Sequence, residues 1–162
     1  MSTSAIVSVE EYLRMSCEPA CEYIDGVLRP KSMGTINHGS IQARSCELLK
    51  AQGYRALPEI TVRLTPTKYL IPDVIADRKL EGPYPTRPAL LVIEVLSPGD
   101  RLDKTLAKCE DYHAWGTPYC WVIDPEKEIA WDFPKCGEPV TVDRQGTLRA
   151  GDIAISMDEL FA

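Results

Sequence analysis

The run Leu90-Leu91-Val92-Ile93-Glu94-Val95-Leu96 restricts the fold more than any other part of the chain. A strand that is apolar on both faces must be covered on both, as a central strand of an α/β sheet is. Within it Glu94 is the anomaly, because burying an unpaired carboxylate costs more than one side chain gains by hydrophobic burial. Glu94 therefore requires a partner. The preceding strand-like stretch offers Asp73, directly after Pro72, and a proline there predicts an edge strand or a bulge of the kind often found beside a site.

The rest of the chain supplies the covering layers. Ser8 before Val9-Glu10-Glu11 reads as an N-cap with acidic residues in the first turn, opening a helix that ends near Pro19. Asp25-Gly26 between residues 21–24 and 27–30 predicts a two-residue hairpin. A helix is expected over residues 35–52 with Gly53 as its stop, then strands over 56–64, 69–76 and 89–96. A second helix spans about 101–115, closed by Gly116. Strands at 119–124, 128–133 and 138–142 follow, and then a polar turn and a short terminal segment around 157–161. With no repeat or linker, residues 1–162 are expected to form a single domain, and 44% hydrophobic residues give it a core that needs no staple.

Composition narrows the function classes. No apolar run approaches the roughly 20 residues of a membrane span, and the opening residues carry neither a basic leader nor a long apolar core, so a cytoplasmic protein is expected. The six cysteines show no Cys-x-x-Cys pair and predict reduced, mostly buried thiols without structural zinc. Eighteen basic against twenty-four acidic residues, a formal charge of -6, argue against holding nucleic acid by bulk electrostatics alone. They leave room for an enzyme whose bound cation screens an acidic site.

Spacing nominates the partner of Glu94. From the strand end at Ser97 back to Glu94 is roughly 10 Å, and from Arg101 along the returning helix to Lys108 is again roughly 10 Å. A helix folded back on the strand sets Lys108 level with Glu94, with Lys104 one turn earlier as its rival. Two carboxylates and an ammonium at a core edge suit a hard cation with oxygen ligands, magnesium rather than zinc. The same residues are equally compatible with a buried Glu94–Lys108 ion pair and a turn capped by Asp73. Glu22 reads from composition as a solvated strand residue and Asp25 as part of the turn. His38 stands near a helix start, where an imidazole could meet phosphate or metal, although a lone histidine is more often a partly buried polar residue. The three tryptophans are assigned to core packing ahead of base stacking.

Taken in order, Val9-Glu10-Glu11-Tyr12-Leu13, Glu22-Tyr23-Ile24-Asp25-Gly26, His38, Pro72-Asp73-Val74, Glu94-Val95-Leu96-Ser97-Pro98, Lys108, Tyr112 and Trp121-Val122-Ile123-Asp124-Pro125 form a pattern running from about residue 7 to 161. It resembles the Uma-two family of bacterial restriction-endonuclease-like proteins, a branch of the PD-(D/E)XK nuclease superfamily. The resemblance implies an α/β fold: a restriction-endonuclease-like core of mixed sheet flanked by helices, here with an N-terminal helix and a β-hairpin. It also implies metal-dependent hydrolysis of phosphodiester bonds, with DNA the expected nucleic acid and Mg²⁺, replaceable by Mn²⁺, the expected cofactor. Asp73 and Glu94 correspond to metal ligands, the Val95 carbonyl to a third, and Lys108 to the active-site lysine. Glu22 matches the upstream acidic position and His38 a commonly present histidine. Leu96 stands where the superfamily carries lysine, so the lysine has moved to the helix. A homodimer is compatible with the superfamily's habit of pairing two sites. The competing readings are a catalytically inactive nuclease-fold module that binds nucleic acid or protein, and a structural protein in which the acidic groups form an ion-pair network.

Overall fold

A computed structural model describes residues 6–162; residues 1–5, part of the opening read above for a leader, lie outside the described residues. Ser8 caps α1 (Val9–Arg14) through a capping box with Glu11. The helix stops at Arg14, short of Pro19. Only Tyr12 of its residues is buried, stacked on Tyr23 at 5.0 Å, while Leu13 and Met15 stay exposed and add nothing to the packed face. Strands β1 (Cys21–Ile24) and β2 (Val27–Pro30) form the expected hairpin, with Asp25 and Gly26 both at positive φ, 48° and 88°. Thr35 accepts the His38 N–H at 3.2 Å and opens α2 (Ile36–Ala51), which closes at Gln52 before Gly53.

Two stretches expected as single strands are each divided. Residues 56–64 become β3 (Arg55–Pro58) and β4 (Val62–Thr65), and residues 69–76 become β5 (Lys68–Leu70) and β6 (Val74–Asp77). β3 and β6 belong to one sheet, β4 and β5 to another. Pro58 and Pro72 sit at the breaks, where a residue without an N–H ends a ladder, and Glu59 turns the chain at φ 55°. Pro72 thus marks a crossing between sheets rather than an edge or a bulge.

The buried run becomes β7 (Leu91–Val95), followed by α3 (Leu102–Trp115), β8 (Tyr119–Asp124), β9 (Ile129–Phe133) and β10 (Val140–Val142). The tail is more regular than a turn and a terminal segment. It forms the hairpin β11 (Thr147–Ala150) and β12 (Ile153–Ser156), then α4 (Met157–Leu160). Leu148, Ala150, Ile153 and Ile155 are all buried, an alternation that marks two half-covered strands.

The larger sheet has the order β10-β9-β8-β7-β6-β3, with β7 and β8 parallel across the α3 crossover and the other pairs antiparallel; β2-β1-β5-β4 form a second sheet. On one face of the larger sheet Ile93, Val95, Trp121 and Ile123 share a core with Ile41 and Leu49 of α2 and with the terminal hairpin. On the other, Val92 and Val122 pack with Cys109 and Tyr112 of α3 and with Val62 and Leu70 of the smaller sheet. β7 feeds both cores, which is why its sequence is apolar without alternation. The architecture is the expected mixed sheet flanked by helices. Only half of the thiols are buried: Cys46, Cys109 and Cys120 are, Cys17 and Cys21 are half-buried and Cys136 is exposed, because the last three lie on connecting segments or at the first residue of the short strand β1. Among the described residues no helix is long and apolar enough to cross a membrane.

Candidate active-site cleft

The β6–β7 register brings the two carboxylates together. Val74 pairs with Ile93 in an antiparallel ladder, so one step further sets Asp73 beside Glu94, on the face beneath α3. Both open onto a cleft of about 580 Å³ that is also lined by Glu22, Lys31, His38, Val95 and Lys108. All the site residues read from the sequence line this cleft.

Around Glu94 the contacts are dense. The Lys108 ammonium lies 3.0 Å from Glu94 Oε1 and 2.9 Å from Glu22 Oε1. The Tyr112 hydroxyl donates to Glu94 Oε1 at 2.8 Å, and the Ile71 N–H donates to Glu22 Oε1 at 2.9 Å. Lys104, Lys108 and Tyr112 follow one another at four-residue intervals and share a helix face. Lys104, the rival, lines the cleft but stays exposed, whereas Lys108 is the one that reaches Glu94. Glu22 is buried, not a solvated strand residue, because β1 lies inside its sheet between β2 and β5 and the carboxylate is held by the Ile71 N–H and the Lys108 ammonium.

Asp73 anchors a second group. Its Oδ2 accepts the Val95 N–H at 2.7 Å, so Val95 meets Asp73 through its amide. Its Oδ1 lies 2.9 Å from the Lys31 ammonium and 3.4 Å from His38 Nε2. Ser97 Oγ stands 3.1 Å from His38 Nδ1, and a hydroxyl donating there leaves the Nε2–H for Asp73. The Thr35 cap sets the start of α2 and with it the position of His38. Lys31 also reaches Glu59 Oε2 at 3.0 Å and the Ile71 carbonyl at 2.7 Å. Gln42 donates to Glu59 Oε1 and to the Asp73 carbonyl.

Lys31, Glu59, Gln42 and the Ser97 hydroxyl were not legible in the sequence as part of a site. Residues 31, 59 and 73 lie on three separate connections; the β3–β6 register sets Glu59 beside Asp73, and the packing of the smaller sheet on the larger one brings in Lys31. No local motif encodes their meeting. Of the other residues weighed, Asp25 is held in its turn by Thr67, and Trp121 is fully buried in the core.

The electrostatics follow from this crowding. Burial alone would raise the Asp73 carboxyl, but the His38 hydrogen bond, the Lys31 ammonium and the Val95 N–H outweigh it and hold the group well below the usual carboxylate range. The bond to Asp73 raises the His38 imidazole, against the effect of burial. Burial pushes Glu94 up to about 7, with Lys108 opposing and Asp73 and Glu22 adding to the rise. Burial acts against the Lys108 ammonium too, yet Glu94 and Glu22 overcome it and hold that charge well above its ordinary range. The lysine has two adjoining carboxylates; Glu94 has one adjoining ammonium amid surplus negative charge.

A pH dependence results. Between the ordinary 4.5 and about 7 the folded protein holds the Glu94 proton more tightly than the unfolded chain does. This contribution to stability is complete below pH 4.5 and is lost as pH rises through about 7. Glu94→Gln is expected to remove that part of the slope in urea unfolding with chelator present, and identical slopes in the two proteins would contradict it.

The residues fit a divalent cation. Among the described residues, Glu22, Glu59, Asp73 and Glu94 are paired with two ammonium groups, Lys31 and Lys108. One ligand atom each from His38, Glu59 and Asp73 lie within 4.8 Å of one another. Carboxylates with one imidazole and no cysteine suit Mg²⁺ or Mn²⁺.

A family model, Uma2, described as "Putative restriction endonuclease", matches residues 9–155. Among solved structures the chain is similar to "a putative nuclease belonging to DUF820" from Anabaena variabilis, with 22% identity, 96% of this chain and 97% of that chain covered, and a TM-score of 0.83. It is also similar to a chain of the DrdV–DNA complex, with 19% identity, 78% of this chain and 11% of that chain covered, and a TM-score of 0.46. No curated protein matches.

Proposed function

The chain belongs to the Uma2 family, and on that premise we propose that it is a divalent-metal-dependent nuclease that hydrolyses phosphodiester bonds of nucleic acid, with DNA as substrate. One observation carries the reading: Asp73 and Glu94 stand side by side on adjacent strands, facing a cleft, with Lys108 at 3.0 Å from Glu94.

Asp73 and Glu94 are the residues that would hold Mg²⁺ or Mn²⁺, with the Val95 carbonyl as a further oxygen. When bound, the ion supplies Lewis-acid polarisation of the scissile phosphate and a more acidic water. Lys108 orients the attacking water or steadies the charge that develops on the phosphate oxygens. Glu22 and Tyr112 fix Lys108 and Glu94 in place, one on each side of their contact. His38, directed by Ser97, holds or moves a proton at the Asp73 side of the cleft.

Calorimetric titration of Mn²⁺ and Mg²⁺ into the wild type and into Asp73→Ala/Glu94→Ala, beside cleavage assays on plasmid and single-stranded DNA, tests this reading. Metal binding and cleavage in the wild type, both lost in the variant, are expected. Lys108→Ala should slow cleavage about a hundredfold or more while changing metal affinity far less; complete loss of metal binding would make the lysine structural. The double tie of Lys108 to Glu22 and Glu94 is the observation that favours the second reading, an inactive nuclease-fold module that binds nucleic acid or protein. Metal and DNA binding without cleavage of any substrate would select it.

A further inference from the structure

We propose that Lys31 is a tethered cation that occupies the cleft side of Asp73 until a divalent ion displaces it, so that withdrawal of Lys31 sets the affinity for metal. The proposal rests on the reading of the cleft as a metal site.

The ammonium of Lys31 lies among three oxygens: Asp73 Oδ1 at 2.9 Å, Glu59 Oε2 at 3.0 Å and the Ile71 carbonyl at 2.7 Å. That is the donor chemistry a hard cation takes. Because Asp73 Oδ2 is committed to the Val95 N–H, Oδ1 is the oxygen left for an ion, and it is the one Lys31 holds. Glu59 offers a carboxylate oxygen beside it, and His38, whose Nε2–H is turned to Asp73, offers a ligand atom once that proton is given up. Two cations on one carboxylate oxygen, with little water to screen them, repel strongly. An ion arriving at Oδ1 therefore drives the ammonium out.

Lys31 is able to leave. It stands in residues 31–35, between β2 and α2, outside any helix or strand, with its own N–H held by the Ala20 carbonyl at 2.8 Å. The backbone is pinned, while the long side chain, which already lines the cleft, has the rotatable bonds to move off Asp73. Lys108, by contrast, rides on a packed helix. At present the Lys31 side chain is only 14% exposed, so its release is detectable.

Amine acetylation of the full wild-type chain, read residue by residue by mass spectrometry with and without saturating Mn²⁺, tests the displacement. Labelling of Lys31 is expected to rise severalfold with Mn²⁺ while exposed Lys50 stays constant; unchanged or lower labelling of Lys31 overturns the proposal. Calorimetry of Mn²⁺ binding adds an independent arm. Lys31→Met should bind about tenfold more tightly or better, and Lys31→Arg, which keeps the charge, should bind like the wild type. Equal affinity in Lys31→Met and wild type overturns the tethered-cation role and leaves the metal site standing. No Mn²⁺ binding by any of the three proteins overturns both. Should Lys31→Met melt below the assay temperature, the labelling result on the wild type decides.

Discussion

Asp73→Asn is expected to lower metal-dependent cleavage by about a thousandfold or more, since the step loses a charged oxygen ligand worth several kcal/mol of transition-state stabilisation. The substitution keeps the side chain's volume, and the amide oxygen still accepts the Val95 N–H that Asp73 Oδ2 receives at 2.7 Å. What disappears is the negative charge that faces Lys31 and His38. The Val95 N–H keeps its acceptor and Lys31 keeps Glu59 and the Ile71 carbonyl, so the folded structure should persist although the new NH2 group faces Lys31 and His38, and the loss of rate is read against the melt. Plasmid cleavage with saturating Mg²⁺, alongside the circular-dichroism melt of each protein, is the measurement. A folded Asp73→Asn that cleaves at the wild-type rate would remove Asp73 from the site.

Trp121→Ala should cost about 3–5 kcal/mol of stability. Trp121 is fully buried in β8, paired with Ile93 of β7 on one side and Asp132 of β9 on the other, in the middle of the larger sheet. It belongs to the core that α2 and the terminal hairpin close, so truncation leaves a cavity among elements that cannot all move inward. Its indole Nε1 has no hydrogen-bond partner among the described residues, and the loss is therefore one of packing and apolar burial. Urea unfolding gives the figure directly. A loss below about 1 kcal/mol would mean that this core collapses around the gap.

Much of the fold was legible because its signals are local. Asp25-Gly26 specifies a tight hairpin wherever it stands between strands, Thr35 and Gly53 bracket α2, and Gly116 closes α3. The level of Lys108 with Glu94 was legible too, since the rise per residue of a strand and of a helix converts sequence distance into length. The failures fall where a choice between sheets was made. Residues 56–64 and 69–76 have strand composition throughout, and composition is silent about which ladder each half joins. The terminal hairpin was overlooked although its buried residues alternate, because charged and polar residues on the outward positions make the stretch read as a turn.

The same division runs through the candidate site. Glu94 announces itself, since a carboxylate in a doubly buried strand is costly wherever that strand ends up, and this holds before any tertiary contact is known. Asp73 follows from the antiparallel register beside it. Lys31 and Glu59 are ordinary charged residues on connecting segments, and nothing in their neighbours distinguishes them from solvated surface. Glu59 is set beside Asp73 by the β3–β6 pairing of the larger sheet, and Lys31 reaches both only because the β2-β1-β5-β4 sheet packs against that sheet, across as many as 42 positions of sequence. Backbone propensity and burial cost act through near neighbours and can be read along a chain. The charge balance of a cleft is a sum over segments that meet only once the core has formed.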